Sequence, residues 1–205
     1  MNITKKIIDL RTPKTSLNVL KPIADRFSPR VFSDTPIEKN ELSIILEAAR
    51  LAPSGRNHQP WLYFWAKKGT NGYEKLSTCL PERNFIWART APLLLIATYN
   101  PIEPTGEINN WAQYDLGQAS MAIVLQAQSL GIYCRQIGSF DMEKSKQLFS
   151  KFFGKQEPLV MLAFGHIGND VDYSKAPEEI VAKDLTSWEF QNNNHRKETV
   201  GIELV

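Results

Sequence analysis

The chain has 205 residues, 42% hydrophobic and 22% charged, with a formal net charge of +2. That suffices for one sizeable core of ordinary globular composition, and the near-neutral balance supplies no field for nucleic acid or an anionic membrane. Cys79 and Cys134 stand far apart, and His58, His166 and His195 are scattered, so no metal-ligand spacing exists.

Near the start, Lys5 and Lys6 precede Ile7-Ile8, but Asp9 and Arg11 follow at once. No apolar run fit for a signal peptide results, and no later segment reaches membrane-spanning length. The two cysteines read as reduced, half-buried residues of a cytoplasmic protein.

Residues 1–15 have weak periodicity and are expected as an N-terminal arm, loosely held. Leu17, Leu20, Ile23 and Ala24 carry a short helical stripe into Asp25-Arg26-Phe27-Ser28-Pro29-Arg30. Arg26, Ser28 and Arg30 alternate, so in extended backbone they share one side while Phe27 and Val31 take the other. Two guanidiniums and a hydroxyl on one side make a phosphate receptor. Taken alone, the string equally describes a solvated charged turn.

Thr35 and Glu38 have capping-box spacing, with Thr35 expected at the N-cap. Leu42, Ile45, Leu46 and Ala49 keep a helical period up to Pro53, which stops it. The stretch Ala52 to Trp61 holds two prolines, one glycine and five polar side chains. Gly55 permits backbone angles closed to other residues. So many donors without a ladder partner need one elsewhere. The stretch is an ordinary helix-to-strand connection or a polar rim for a planar, hydrogen-bonding ligand.

Leu62 to Ala66 reads as a strand, and Tyr73 to Leu80 as a short helix. Pro81 to Asn84 is expected as a turn, and Phe85 to Arg89 as a second helical piece. Leu93 to Ala97 is a continuous apolar run, as a strand covered on both faces needs. Asn100 to Asn110, with two prolines and a glycine, reads as an exposed loop.

From Trp111 to Leu130 runs the longest helical pattern, ended by Gly131. Leu116, Ala119, Ser120, Ile123, Val124 and Ala127 form a broad face that includes small residues. That face suits the centre of a dimer or a buried helix within one subunit. Strands follow at 132–137 and 158–164, with an Asp141-capped helix between them and a last helix at 177–183. The tail 185–205 is expected to be loose, to pack on a partner subunit, or to add a strand to a sheet edge, its own or a partner's. The order predicts an α+β fold, an α/β sandwich with helices on both faces of one sheet. A dinucleotide glycine turn, a Walker A string and a nucleophile elbow are all missing.

Several stretches together resemble the FMN-dependent nitroreductase family. Arg26-Phe27-Ser28-Pro29-Arg30-Val31-Phe32 resembles its Arg-Arg-Ser-x-Arg-x-Phe opening. Ala52-Pro53-Ser54-Gly55-Arg56-Asn57-His58-Gln59-Pro60-Trp61 resembles its Ala-Pro-Ser-Ser-x-Asn-x-Gln-Pro-Trp signature. Asp115 to Ala119, Gln136 to Asp141 and Pro158 to Gly168 follow in the family's order.

The resemblance implies a single nitroreductase-like domain with a mostly antiparallel sheet and a long central helix at a homodimer interface. It implies FMN at that interface. Arg26, Ser28 and Arg30, with Phe27 in place of the usual second arginine, would hold the phosphate and ribityl chain. Pro53, Ser54, Gly55 and Asn57 would reach the flavin ring from the partner subunit. Asn84 would lie on the pyrimidine edge, and Ile137, Gly138 and Ser139 along the ring, with a backbone N–H near Gly138 at N5. Arg196 fits the C-terminal phosphate clamp, while Asn194 replaces its first basic residue and Lys197 is an alternative.

Arg56 or Arg135 would supply positive charge beside the ring, or be solvated surface arginines. Trp111 and Tyr114 are candidates for the substrate lid, or core or interface aromatics. The activity implied is transfer of reducing equivalents from NADH or NADPH to a small aromatic acceptor, nitroaromatic or quinone, by ping-pong kinetics. The alternatives are dehalogenation or desaturation on the same fold, or a flavin-storage protein with little turnover.

Overall fold

The computed structural model describes residues 2–13 and 15–186. Asn194, Arg196, Lys197 and the apolar tail lie outside the described residues.

Among the described residues, four strands form one antiparallel sheet: β1 (Trp61–Lys67), β2 (Leu93–Tyr99), β3 (Ile132–Ile137) and β4 (Glu157–His166), in the order β1-β2-β4-β3. β2 is central and its apolar run serves both faces. Leu94 and Ile96 enter one core cluster, and Leu93, Leu95 and Ala97 enter the other. The strand expected to be covered on both sides is covered on both sides. Where β2 meets β4, the register jumps from Val160 to Pro158 between Ala97 and Thr98, leaving Leu159 as an extra residue. A bulge is where a strand tolerates a proline that cannot donate to the ladder.

One face is covered by α3 (Lys39–Arg50) and α6 (Ala112–Ser129). The other is covered by α4 (Asn71–Ser77), α5 (Glu82–Ala88) and α8 (Glu178–Leu185), through Tyr73, Leu76, Trp87 and Ile180. α7 (Met142–Phe153) begins at Asp141, whose carboxylate accepts from the Lys144 N–H at 2.8 Å as the sequence predicts. Gly131 ends α6 with φ of 73°.

Several expectations are corrected. Residues Ile3–Arg11 are a helix, α1, capped by Asn2 and burying Thr4, Ile7 and Arg11. This arm is held in place: Thr4 Oγ1 donates to the Gly168 carbonyl at 2.7 Å, and α1 packs on α8. The stripe from Leu17 to Ala24 yields only α2 (Lys21–Asp25), and Leu17 and Leu20 are exposed. The N-cap of α3 is Glu38, in a capping box with Glu41, because Pro36 and Ile37 precede the helix. Pro81 is itself the N-cap of α5, so Asn84 lies in a helix and not in a turn. Both cysteines are fully buried and unpaired.

The small-residue face of α6 is buried within this one chain. Leu116, Ala119, Ile123 and Ala127 pack with α3 and the sheet. That face therefore cannot meet a second subunit. Among the described residues, no helix is long and apolar enough to cross a membrane.

Gly165 fixes the segment that leads from α2 towards α3. A Cβ at Gly165 would stand 2.8 Å from Phe32 Cβ and 2.7 Å from Pro92 Cδ, closer than real contacts allow. The Ser33 N–H donates to the His166 carbonyl at 2.9 Å, and the Phe32 N–H to Thr90 Oγ1 at 3.2 Å. The Arg26–Phe32 stretch is thus pinned at its far end to β4, beside the β3 edge.

Candidate functional site

Hydrogen bonds and ring contacts gather the candidate residues into two sets. The first lies along β3. Phe27 is buried with its ring 5.1 Å from that of Tyr133, while Arg26 Nη2 donates to Ser28 Oγ at 3.3 Å on the other side of the segment. The predicted alternation therefore holds, and Phe27 acts as the apolar anchor beneath it.

Arg135, on β3, donates from Nη1 to the Ser28 carbonyl at 2.7 Å and lies 5.1 Å from the centre of the Trp87 ring. It is largely buried and is not a solvated surface arginine. Burial pushes its pKa down to about 10, with the charges of Arg30 and Arg11 adding to the effect and Asp184 opposing it. It remains a cation at neutral pH.

Arg30 is engaged. Its N–H and its Nη1 both donate to the Asp184 carboxylate, at 2.8 and 2.6 Å, and Asp184 is only 1% exposed. Arg11, the last residue of α1, joins this group. It is 8% exposed, and its Nε and Nη1 have no hydrogen-bond partner. Burial lowers its pKa, Asp184 raises it, and Arg30 lowers it further. So Arg30 bonds Asp184, while the guanidiniums of Arg11 and Arg135 lie within electrostatic reach of the same carboxylate.

At the end of β3, Ile137 is buried while Gly138 and Ser139 are exposed. Asn84 Nδ2 donates to the Ser139 carbonyl at 3.0 Å, and Arg83 Nη2 to Ser139 Oγ at 3.0 Å. Asn84 and Ser139, far apart in sequence, are thus brought together. The site of Gly138 has no heavy atom within 4 Å of where a Cβ would stand, so its backbone is open to a ligand.

The second set is the loop that enters β1. Ser54, Gly55 and Asn57 form a tight turn, with the Asn57 N–H on the Ser54 carbonyl and the His58 N–H on the Gly55 carbonyl, each at 3.0 Å. The Gly55 N–H donates to Asp115 of α6 at 3.1 Å, and the Gln59 N–H to Ser54 Oγ at 3.0 Å. The N–H groups of Gly55, Asn57, His58 and Gln59 therefore all find partners within the one chain. Gly55 is not the residue with unusual angles. Those are Arg56, Asn57 and Gln59, with φ of 50°, 59° and 47°. Pro53, Gly55 and Asn57 face solvent.

Arg56 pairs with Glu103 at 3.0 Å. Trp111 and Tyr114, at the start of α6, are 63% and 65% exposed and meet edge-on, 6.4 Å between ring centres. They are not core aromatics, and Trp111 Cβ lies 3.9 Å from where a Gly55 Cβ would stand.

The two sets occupy opposite edges of the sheet, since β1 and β3 are its outer strands. Three strand spacings separate these edges, about 14 Å. Sequence reasoning missed Arg11, Asp184 and the role of Asp115. Asp184 lies 154 positions from Arg30, so no local spacing announces their pairing.

Comparison with known proteins gives these features a context. The profile of the Nitroreductase family matches residues 23–80 and 78–166. A protein of Archaeoglobus fulgidus named "Putative NADH dehydrogenase/NAD(P)H nitroreductase" is 29% identical over 153 residues, covering 75% of this chain and 86% of that one. A crystal structure described as an oxidoreductase containing FMN superposes with a TM-score of 0.75 at 27% identity, covering 83% of this chain and 86% of that chain. A nitroreductase family protein from Clostridium difficile 630 superposes with a TM-score of 0.61 at 25% identity, over 73% of this chain and 84% of that chain. The chain belongs to the Nitroreductase family.

Proposed function

We propose that this chain is an FMN-dependent oxidoreductase, active as a homodimer, that takes reducing equivalents from NADH or NADPH and delivers them to a small nitroaromatic or quinone. One observation carries the flavin reading. The guanidiniums of Arg11, Arg30 and Arg135, all largely withdrawn from solvent, gather near the carboxylate of Asp184, which Arg30 bonds. Such an excess of buried positive charge is costly unless an anion offsets it. A phosphate monoester at neutral pH carries about −1.5 to −2 charges. The donor set therefore fits the phosphate of FMN.

Arg26, Ser28 and Arg30 would hold that phosphate and the ribityl chain. Ile137, Gly138 and Ser139 would lie along the ring, with the backbone near Gly138 offering its N–H at N5 and Asn84 at the pyrimidine edge. Pro53, Ser54, Gly55 and Asn57 would reach the ring from the other subunit, which the sheet-wide separation of the two sets supports. Arg135, fixed on Trp87 and the Ser28 carbonyl, contributes cationic charge along β3. Bound FMN supplies two-electron transfer between the nicotinamide and the acceptor. Trp111 and Tyr114 offer exposed flat surface beside the loop, where an aromatic substrate would stack and water be displaced. Donor and acceptor would use one space in turn, which gives ping-pong kinetics. The two buried, unpaired cysteines suit a reducing, cytoplasmic setting.

The test is direct. The purified protein should be yellow, and NADH or NADPH should bleach it anaerobically. Nitrofurazone or a quinone should then restore the colour, and initial rates should give parallel double-reciprocal lines. A colourless protein that takes up no FMN ends the reading. A yellow protein that neither nicotinamide bleaches leaves flavin binding without this activity.

A further inference from the structure

We infer that Arg11, from the N-terminal helix α1, is a phosphate-binding arm of the site, one that the family's sequence signature does not include. The inference rests on the flavin reading and names the chain's own contribution to it.

Among the described residues, Arg11 Nε and Nη1 are the buried side-chain donors without a partner. Buried donors are almost always paired, and those of a charged group most strongly so. Arg11 is only 8% exposed, so bulk water offsets little of its charge. It sits in the field of Asp184 and Arg30, and Arg135 feels its charge in turn. Asp184 accepts from the Arg30 N–H and from Arg30 Nη1, and it does not reach Arg11 Nε or Nη1. The buried donors left without a partner belong to Arg11. The helix that delivers it is fixed by the Asn2 cap and by Thr4 on Gly168, so Arg11 is held in place before any ligand arrives.

An anion carrying about two charges satisfies these donors and balances three guanidiniums against one carboxylate. Empty, the site leaves a buried cation unsatisfied, so Arg11 lowers the stability of the flavin-free protein and raises its affinity for the phosphate group. That opposition separates a ligand-binding role from a purely structural one.

The experiment compares wild type with Arg11→Met and Arg11→Lys. Titrations use FMN, riboflavin (which lacks the phosphate) and inorganic phosphate, read by flavin fluorescence and by thermal unfolding of flavin-stripped protein. Arg11→Met should weaken FMN binding on the order of tenfold or more, leave riboflavin binding unchanged, and unfold no earlier than wild type without ligand. Phosphate should raise the melting temperature of wild type and not of Arg11→Met. Arg11→Lys, which keeps the charge but loses the planar fork, should fold and show an intermediate loss for FMN alone.

Equal losses for FMN and riboflavin in the lysine variant, or unchanged FMN affinity in both variants, overturn the inference. Wild type that prefers FMN to riboflavin while both variants match it leaves the flavin reading standing and removes Arg11 from it. Wild type that binds neither FMN nor riboflavin removes the flavin reading. If such a protein is still stabilised by phosphate through Arg11, the anion site survives on its own.

Discussion

Gly55 donates its N–H to Asp115, a carboxylate only 2% exposed, and this bond ties the loop before β1 to the start of α6. Removing the acceptor breaks this part-buried, charge-assisted bond and leaves the Gly55 N–H to water. Asp115→Ala should cost about 1–3 kcal/mol, read as a lower urea midpoint, while Asp115→Asn, which keeps an acceptor oxygen, should cost less. A midpoint unchanged in the alanine variant would mean that the loop is held by its internal turn alone. The loop also carries three non-glycine residues at positive φ, Arg56, Asn57 and Gln59. Side chains pay for such angles, and they persist only where the surroundings over-determine them. Here Asp115, the Ser54 hydroxyl and the Arg56–Glu103 pair supply that constraint. A loop held rigid at such expense, with Pro53 and Asn57 facing outward, suits presentation to a ligand more than simple connection.

At the scale of elements, Gly165 lets the segment before α3 lie directly on β4. Gly165→Ala would bring a Cβ within 2.8 Å of Phe32 Cβ and 2.7 Å of Pro92 Cδ, neither of which is a flexible side-chain end. The expected loss is about 1–3 kcal/mol in equilibrium unfolding, together with looser flavin, since Phe32 follows the receptor segment. Asp170 makes a second tie on the same side, accepting from Ser33 Oγ and Thr35 Oγ1. The Ser33 bond, then the Thr35 bond, holds its pKa below the ordinary value of 3.8. A lowered carboxylate pKa stabilises the fold above the unfolded value and ceases to do so as pH falls through the folded one. Wild type should therefore exceed Asp170→Asn in urea midpoint at neutral pH, and the gap should close only below the ordinary carboxylate range. A gap constant down to strongly acid pH would assign the difference to shape rather than charge. These ties also mark what the sequence could show. The apolar run of β2, the Asp141 cap and the Gly131 stop are local signals, and each element lies where its signal predicts. The helix at Ile3–Arg11 buries only Thr4, Ile7 and Arg11, two of them polar, so no apolar stripe marks it in the sequence. The Arg26–Arg30 alternation was legible, but the engagement of Arg30 by Asp184 depends on a helix 154 positions further along the chain.

For the whole molecule, the sheet order decides how a complete site can be assembled. The residues proposed to hold the phosphate lie along β3 and the loop residues enter β1, which are opposite edges of one four-stranded sheet. The small-residue face of α6 is taken up by the chain's own core, so the proposed dimer would use other surface, such as the exposed Met121 of α6. If each flavin takes its phosphate from one chain and its loop from the other, two different defects should repair one another. A chain with Arg26→Ala, on the phosphate side, should lose FMN because a clamping arginine is worth on the order of 2–3 kcal/mol. A chain with Asn57→Ala, on the loop, should lose ring contacts and turnover. Co-expressed, they form mixed dimers in which one of the two sites draws only on intact elements. Those dimers, separated by two different affinity tags, should bind about half the wild-type complement of FMN tightly and regain a corresponding share of the rate, while neither parent does. Light scattering of the wild type should give a mass near twice the 23.3 kDa of the chain. Mixed dimers no better than the parents would place both sets of residues on the flavin of a single subunit, and the separation across the sheet would then need a large rearrangement of the loop on binding.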